Sequence, residues 1–370
     1  MPTFEKNRTV ERNKGFGKIL LSPVAGIYYL VVALRNALYD TGIFSTYHPK
    51  TPTICVGNLT VGGTGKTPHI ELLIGLLADK YRLAVLSRGY KRSSKGYKEV
   101  TVDDTSAEAG DEPLQIKHKF PQIKVAVNAN RKDGIDQLTF THPDTEIILL
   151  DDAFQHRKVT AGFNILLIDY NRPIWEDSML PIGNLRDTSS QIKRANVIIV
   201  TKCPSCMKPL DRRLLSKKLN LYPYQTLLFS STEYDKPTPL FKDAQTFSAT
   251  PNTIALTGIA EPTPFISHLE SRYKNVTPLA FPDHHNFTTK DISQIAELFN
   301  KLGKAANIIT TEKDAKRLAS LNLPEDVKNY LYFVPIKAKL SEDSDTVLLN
   351  KIVKYVRENT GNRGFYKRTH

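Results

Sequence analysis

The chain has 370 residues, 40% hydrophobic and 24% charged, with 51 Lys+Arg against 38 Asp+Glu for a net charge of +13. That length accommodates two domains or one large domain with additions, and an ordinary composition without repeats or low-complexity tracts excludes a disordered chain or a solenoid. The basic excess favours anionic partners, whether nucleic acid, a phospholipid surface or phosphorylated substrates, and three cysteines are too few for a disulfide framework.

The first fifty residues hold seven Lys and Arg against three Asp and Glu, beside the apolar stretch Ile19 to Leu34. This stretch is short for a bilayer span, which takes about 20 residues. Arg35 and Asn36 stand where a signal peptide would need small residues. The pattern predicts a helix from Pro23 to Asp40, with Ser22 as N-cap and Gly42 as the stop. Val24, Ile27, Tyr28, Val31, Leu34 and Leu38 share one face. A helix docked on the protein's own core has the same pattern. Tyr28, Tyr29 and the flanking lysines favour an apolar face lying in a membrane surface.

Short β-branched runs follow at Thr53–Val56, Leu83–Leu86, Lys124–Val127, Ile147–Leu150, Asn164–Ile168 and Val197–Val200. Apolar runs separated by helical stretches predict parallel strands covered on both faces, a doubly wound α/β sheet of the P-loop NTPase kind. The first of these strands leads into Thr60-Val61-Gly62-Gly63-Thr64-Gly65-Lys66-Thr67 and then a helix over roughly Pro68 to Lys80. This is the context of a Walker A loop, whose glycines turn backbone N–H groups toward phosphate oxygens. Lys66 places a charge on the β/γ phosphates of ATP, and Thr67 offers its hydroxyl to Mg²⁺. The generic pattern has glycine where this chain has Thr60. Asp151 and Asp152 end the apolar strand Ile147–Leu150, the position of a Walker B acid that holds Mg²⁺.

Beyond Lys202 the texture changes. Residues 203–250 read as connection and linker, and Cys203 and Cys206 as incidental thiols. Strands are expected again at Ile254–Leu256, Asn307–Thr310 and Tyr330–Val334. The domain reading is 1–44 for the membrane-associated helix and 45–235 for the P-loop domain. A linker over 236–250, a smaller α/β domain over 251–358 and a basic tail over 359–370 complete it. Two other P-loop classes are weakened by particular residues. Thr201-Lys202-Cys203-Pro204 lacks the Asn and Asp that read guanine in GTPases, and Val61 stands where partitioning ATPases carry lysine.

The assembled motifs resemble those of the tetraacyldisaccharide 4′-kinase family of lipid A synthesis. They are VGNLTVGGTGKTP (56–68), LSRGYKR (86–92), GDEP (110–113), NANR (128–131), LLDDAFQHR (149–157), LPIGNLR (180–186), VTK (200–202), PDHHNF (282–287) and TEKDA (311–315). They run in family order over nearly the whole chain, and the family's own loop resembles this one at Thr60. The resemblance implies transfer of the γ-phosphate of ATP to the 4′-hydroxyl of a tetraacylated glucosamine disaccharide 1-phosphate, forming lipid IVA. It implies a monotopic, peripheral enzyme on the cytoplasmic face of the bacterial inner membrane, using ATP and Mg²⁺. Its partners would be the lipid substrate and the membrane surface, with no nucleic acid and no obligate protein partner.

The resemblance also raises Asp111 from a capping carboxylate to the base or orienter of the acceptor hydroxyl. It makes His284 the partner of Asp111 and Glu112 a further Mg²⁺ group beside Thr67 and Asp151. Arg88, Arg131 and Arg186, with Asp152, Gln155 and His156, are the expected phosphate and sugar contacts. The competing class is a nucleotide-dependent switch or metal chaperone that hydrolyses nucleotide slowly and acts through a partner.

Overall fold

The computed structural model describes residues 15–90, 92–241, 243–283, 285–303, 306–319 and 321–366. The chain begins with α1 (Gly15–Asp40), β1 (Thr53–Asn58), α2 (Lys66–Leu77), β2 (Leu83–Ser87), β3 (Lys98–Glu99) and α3 (Ser106–Ala109). It continues with α4 (Asp111–Lys119), β4 (Lys124–Val127), α5 (Arg131–Thr141), β5 (Ile147–Asp151), β6 (Phe163–Asp169) and β7 (Val197–Thr201). Then come α6 (Pro209–Leu219), β8 (Thr226–Tyr234), β9 (Thr238–Pro239), β10 (Asn252–Thr257), α7 (Thr263–Glu270) and β11 (Asn275–Ala280). The last elements are α8 (Thr289–Lys301), β12 (Asn307–Thr311), α9 (Glu312–Ala319), α10 (Glu325–Lys328), β13 (Leu331–Val334), β14 (Ile336–Leu340) and α11 (Ser344–Tyr366). Two compact units result, Met1–Ser231 with Leu340–His370, and Thr232–Lys339.

Among the described residues the larger sheet has the order β14-β8-β7-β6-β1-β5-β2-β4-β3. Six parallel pairings join β4 through β8 across its middle, and β3 closes one edge antiparallel to β4. All six residues of β1 are buried, because helices cover both faces and leave no polar side to the strand. The pleat sorts residues between two layers. Ile54, Val56, Leu83, Val85, Ile147 and Leu149 meet α2 and α11, while Cys55, Leu86, Ile148 and Leu150 meet α5 and Phe154. Each buried Leu or Ile side chain contributes about 1.5–3 kcal/mol by leaving water. The register sets Val56 of β1 opposite Asp151 of β5, so the loops after these two strands open at one edge.

The second unit is a smaller sheet, order β11-β10-β12-β13-β9, parallel except for β9. Its core gathers Ile254, Leu256, Ile295, Phe299, Ile308 and Leu331.

Four expectations change. The first helix begins at Gly15 instead of Pro23, which lies inside it. Residues 21–24 around it are all exposed. The stretch read as linker contains α6, opened by Pro209 at its first position, and the nine-residue β8. Residues 236–250 lie within the second unit, with Thr238 and Pro239 paired to β13. Finally, α11 does not belong to the smaller domain. Leu348, Ile352 and Val356 are buried in the larger unit's core, and the Tyr355 hydroxyl accepts from Thr53 N at 3.0 Å and donates to Thr53 O at 3.2 Å.

A candidate active site at a phosphate loop

The loop between β1 and α2 turns on two left-handed positions, Gly62 at φ +95° and Gly65 at φ +85°. A side chain at Gly62 would be strained and would also come within 3.3 Å of the Arg172 guanidinium. The loop is pinned from outside. Val61 N donates to Asn184 O at 2.8 Å, Arg186 N to Leu59 O at 2.9 Å, and Thr60 bridges Leu185. From within, Asn58 Nδ2 donates to Thr64 Oγ1 at 2.8 Å and Thr201 Oγ1 to Thr64 O at 2.9 Å. Thr60 therefore serves through its backbone, which explains why glycine is not needed there. The first N–H groups of α2 and its positive dipole end complete an anion cradle. His69 braces the far side. Its Nδ1 lies 2.7 Å from Gly65 O, and its Nε2 2.9 Å from Ser230 Oγ. Burial pushes its pKa down to about 4.

Beside the cradle, Asp151 is 1% exposed. Ser87 Oγ donates to its Oδ2 at 2.9 Å, whereas Oδ1 is buried with no hydrogen-bond partner. Burial, followed by the charges of Glu112 and Asp152, raises its carboxyl to about 7. A buried, orphaned carboxylate oxygen beside further carboxylates is the arrangement a divalent cation completes. Thr67, Asp151 and Glu112 are hard oxygen donors of the kind Mg²⁺ takes. Among the described residues no three His, Cys, Asp or Glu side chains form a metal cage.

Asp152 follows at φ +49°, its N–H tied to Val56 O at 3.0 Å. Its carboxylate receives both terminal nitrogens of Arg186, one at 3.1 Å, with Lys66 Nζ 3.8 Å away. Burial opposes ionisation, but Lys66 and Arg186 hold this carboxyl below its ordinary value. Arg186 also donates to Asn58 Oδ1. One guanidinium thus joins the ends of β1 and β5.

The other expected residues fall in different places. Gln155 donates from Nε2 to Asn58 O. His156 keeps a buried, unpartnered Nε2, and burial together with Arg131 and other cations lowers its pKa to about 4. It is neutral at neutral pH. Arg88 is exposed just past β2. Asp111 and Glu112 are half-buried in the first turn of α4, where Gly110 packs closely on Gly89. Arg131 is more deeply buried than a surface contact would be. It is 2% exposed and donates to Asn128 O at 2.6 Å and Asp151 O at 3.1 Å, so these two bonds brace the turn beneath the site, while its Nε is buried without a partner. His284 lies outside the described residues. Its neighbour His285 has Nε2 2.9 Å from Asp291 Oδ2 and stacks on Phe281.

Sequence reasoning missed Asn58, Ser87, His69 and Arg172. Asn58 and Ser87 end strands next to the motifs, and that position was the available signal. The contact of His69 with Ser230 and the approach of Arg172 to Gly62 arise between distant segments and leave no local trace.

Helix α1 docks beside this site through polar side chains. Tyr28 Oη donates to Arg186 O at 3.1 Å, Arg35 to Gln155 O at 2.9 Å, and Asn36 to Asp187 Oδ1 at 2.7 Å. Arg157 and Lys193 both hold Asp40, at 2.6 and 2.8 Å. The opposite face is apolar and exposed, with Ile27 at 63% and Leu30 at 66%. Of the expected face, Val24, Ile27, Val31 and Leu34 are exposed, while Tyr28 and Leu38 turn partly inward.

The family model described as tetraacyldisaccharide-1-P 4′-kinase matches residues 17–353. A tetraacyldisaccharide 4′-kinase of Bacteroides thetaiotaomicron is 46% identical over 363 residues, 94% of this chain and 96% of that protein. One from Flavobacterium psychrophilum is 45% identical over 349 residues, 92% of this chain and 98% of that one. Among solved structures, LpxK from Aquifex aeolicus in complex with ATP superposes with a TM-score of 0.69. The identity is 26%, over 92% of this chain and 99% of that one.

Proposed function

The chain belongs to the tetraacyldisaccharide-1-P 4′-kinase family, and from that membership we infer how its own residues perform the transfer. It is an ATP-dependent kinase that moves the γ-phosphate of ATP to the 4′-hydroxyl of a tetraacylated disaccharide 1-phosphate, giving lipid IVA. The observation that carries the reading is the convergence of Lys66, Arg186, Asp152 and the orphaned Asp151 oxygen at the mouth of the phosphate loop.

In the proposed mechanism the N–H groups of residues 62–67 hold the phosphates of ATP. Lys66 neutralises charge on the transferring group, with Arg186 oriented beside it through Asp152. Thr67 and Asp151, with Glu112, would hold Mg²⁺, which when bound would supply charge neutralisation on the phosphate oxygens. The 4′-oxygen attacks the γ-phosphorus, the bond to the β–γ bridging oxygen breaks, and ADP leaves. Asp111 is the group we assign to orient the hydroxyl or take its proton. The part that the family resemblance gives His284 remains a proposal on that resemblance alone. Gln155, His156 and Arg88 are the assigned sugar and phosphate contacts.

The membrane reading rests on α1. Its 20 residues from Leu21 to Asp40 are apolar enough to cross a bilayer by composition. Yet Tyr28, Arg35, Asn36 and Asp40 bind the water-facing body along its length. A helix fastened in this way lies on a membrane with its outer face immersed. We place the enzyme peripherally on the cytoplasmic leaflet, where ATP is present and the substrate's acyl chains remain in lipid.

The test supplies γ-labelled ATP and the lipid disaccharide 1-phosphate in detergent micelles. Label appearing in the lipid as a 4′-monoester is expected. Hydrolysis of ATP that never labels the lipid would replace the kinase with the nucleotide-switch reading.

A further inference from the structure

The exposed apolar surface does not end with α1. Gly42, at φ +75°, turns the chain out of the helix, and Ile43 and Phe44 then stand 69% and 43% exposed. They are held rigidly. Phe44 N donates to Leu38 O at 3.0 Å, and the Phe44 ring packs edge-on to Tyr39 at 5.2 Å. Tyr47 then clips this turn to the body, through Lys158 O at 2.8 Å, Thr160 N at 2.9 Å and Asp136 Oδ1 at 2.5 Å. Between the turn and α5 runs an open groove of about 610 Å³, lined by Tyr39, Ile43, Phe44, Lys132 and Lys158. One helical turn past Asp136, on the same side of α5, Phe140 is 89% exposed. Its ring meets water over most of its surface.

We propose that the 43–47 turn, Lys132, Lys158 and Phe140 form a second membrane contact, seated on anionic phospholipid headgroups and continuous with the outer face of α1. The proposal rests on the membrane reading of α1 given above. The surface has the composition of an interfacial anchor, with apolar and aromatic side chains at acyl depth and lysines at the level of the phosphates. Continuity with α1 and the pair of lysines select an anionic bilayer over a protein partner. A contact that extends beyond α1 fixes the orientation of the body on the membrane, whereas one helix alone would leave it free to roll about the helix axis.

Full-length protein is floated with vesicles of roughly three parts phosphatidylcholine to one of phosphatidylglycerol. The variants are Lys132→Glu with Lys158→Glu, Phe140→Ser, and Val31→Asp on α1. Each lysine near an anionic surface strengthens partition by roughly fivefold. The double charge reversal should therefore reduce partition at least twentyfold in low salt. The difference should shrink in high salt and vanish on pure phosphatidylcholine. Phe140→Ser should weaken binding at every salt concentration, and its full exposure keeps the fold safe. Phosphorylation of substrate in neutral-detergent micelles should be unchanged for Phe140→Ser and the lysine variant.

If vesicle binding of both is unchanged while Val31→Asp abolishes it, the second contact is wrong and α1 acts alone. If Val31→Asp also binds as wild type does, the membrane reading of α1 has failed. A raised KM for the micellar substrate in the lysine variant, with vesicle binding intact, would overturn the proposal by assigning the groove to the substrate.

Discussion

At the scale of single residues, the site depends on charges that cannot be moved without consequence. Lys66 is 3.8 Å from Asp152 and presents the cradle's point charge. Lys66→Ala should keep the circular dichroism spectrum and lose about 10²–10³-fold in kcat, as expected when one preorganised charge is removed from a transferring phosphoryl group. Near-wild-type turnover by the folded variant would defeat the phosphate-loop assignment. His69 gives a stability prediction with a definite sign. Its folded pKa of about 4 lies below the ordinary 6.5. Between these values the unfolded chain binds a proton that the native protein does not, so stability falls as pH drops from 6.5 toward 4. Between pH 7 and pH 5 this one group removes about 2 kcal/mol. Urea unfolding of His69→Gln at the two pH values should show that much less acid sensitivity. An identical pH slope would mean that His69 is not buried neutral.

At the scale of elements, α11 is the least expected contributor to the larger unit. Leu348, Ile352 and Val356 fall at helical spacing and enter the same layer as β1 and α2. Ile352 is completely buried. Ile352→Ala should cost about 2–5 kcal/mol, from lost transfer energy and the cavity left behind. Denaturant titration followed by ATP binding reads that unit directly. A loss below 1 kcal/mol would mean that α11 docks only loosely. The loop elements are tied in the same way. Asn184 and Leu185 pair with the phosphate loop, while Arg186 and Asp187 meet α1. Residues 184–187 therefore sit between the nucleotide cradle and the proposed membrane helix.

At the scale of the whole molecule, the proposed membrane reading joins the net charge of +13 to the outer face of α1. In that reading electrostatic attraction brings the protein to an anionic bilayer, and apolar immersion retains it. Val31→Asp, on the exposed side of α1, should leave turnover of micellar substrate intact. It should lower kcat/KM on bilayer-embedded substrate by about tenfold or more, since a charge in the interfacial apolar zone costs more than about 1.4 kcal/mol. Equal rates in the two presentations would remove α1 from substrate access.

The legible parts of this protein were those that chemistry within a few residues determines. A strand, a glycine-rich turn with its GKT and a helix form one contiguous unit, so the cradle could be read directly. The six core strands could be read because full burial demands unbroken apolar runs. Asp151 was legible because it ends such a run. The placement of Arg131 beneath the site, the grip of Arg186 on Asp152 across 34 positions and the return of α11 to the first sheet were not. Neither was the split of α1 into a polar docking face and an apolar outer one. Spacing shows that a helix has a face or that an arginine is present. Which surface that face covers, and whether the arginine meets ligand or carbonyl, depends on contacts between segments far apart in the chain, which only the closed tertiary structure brings together.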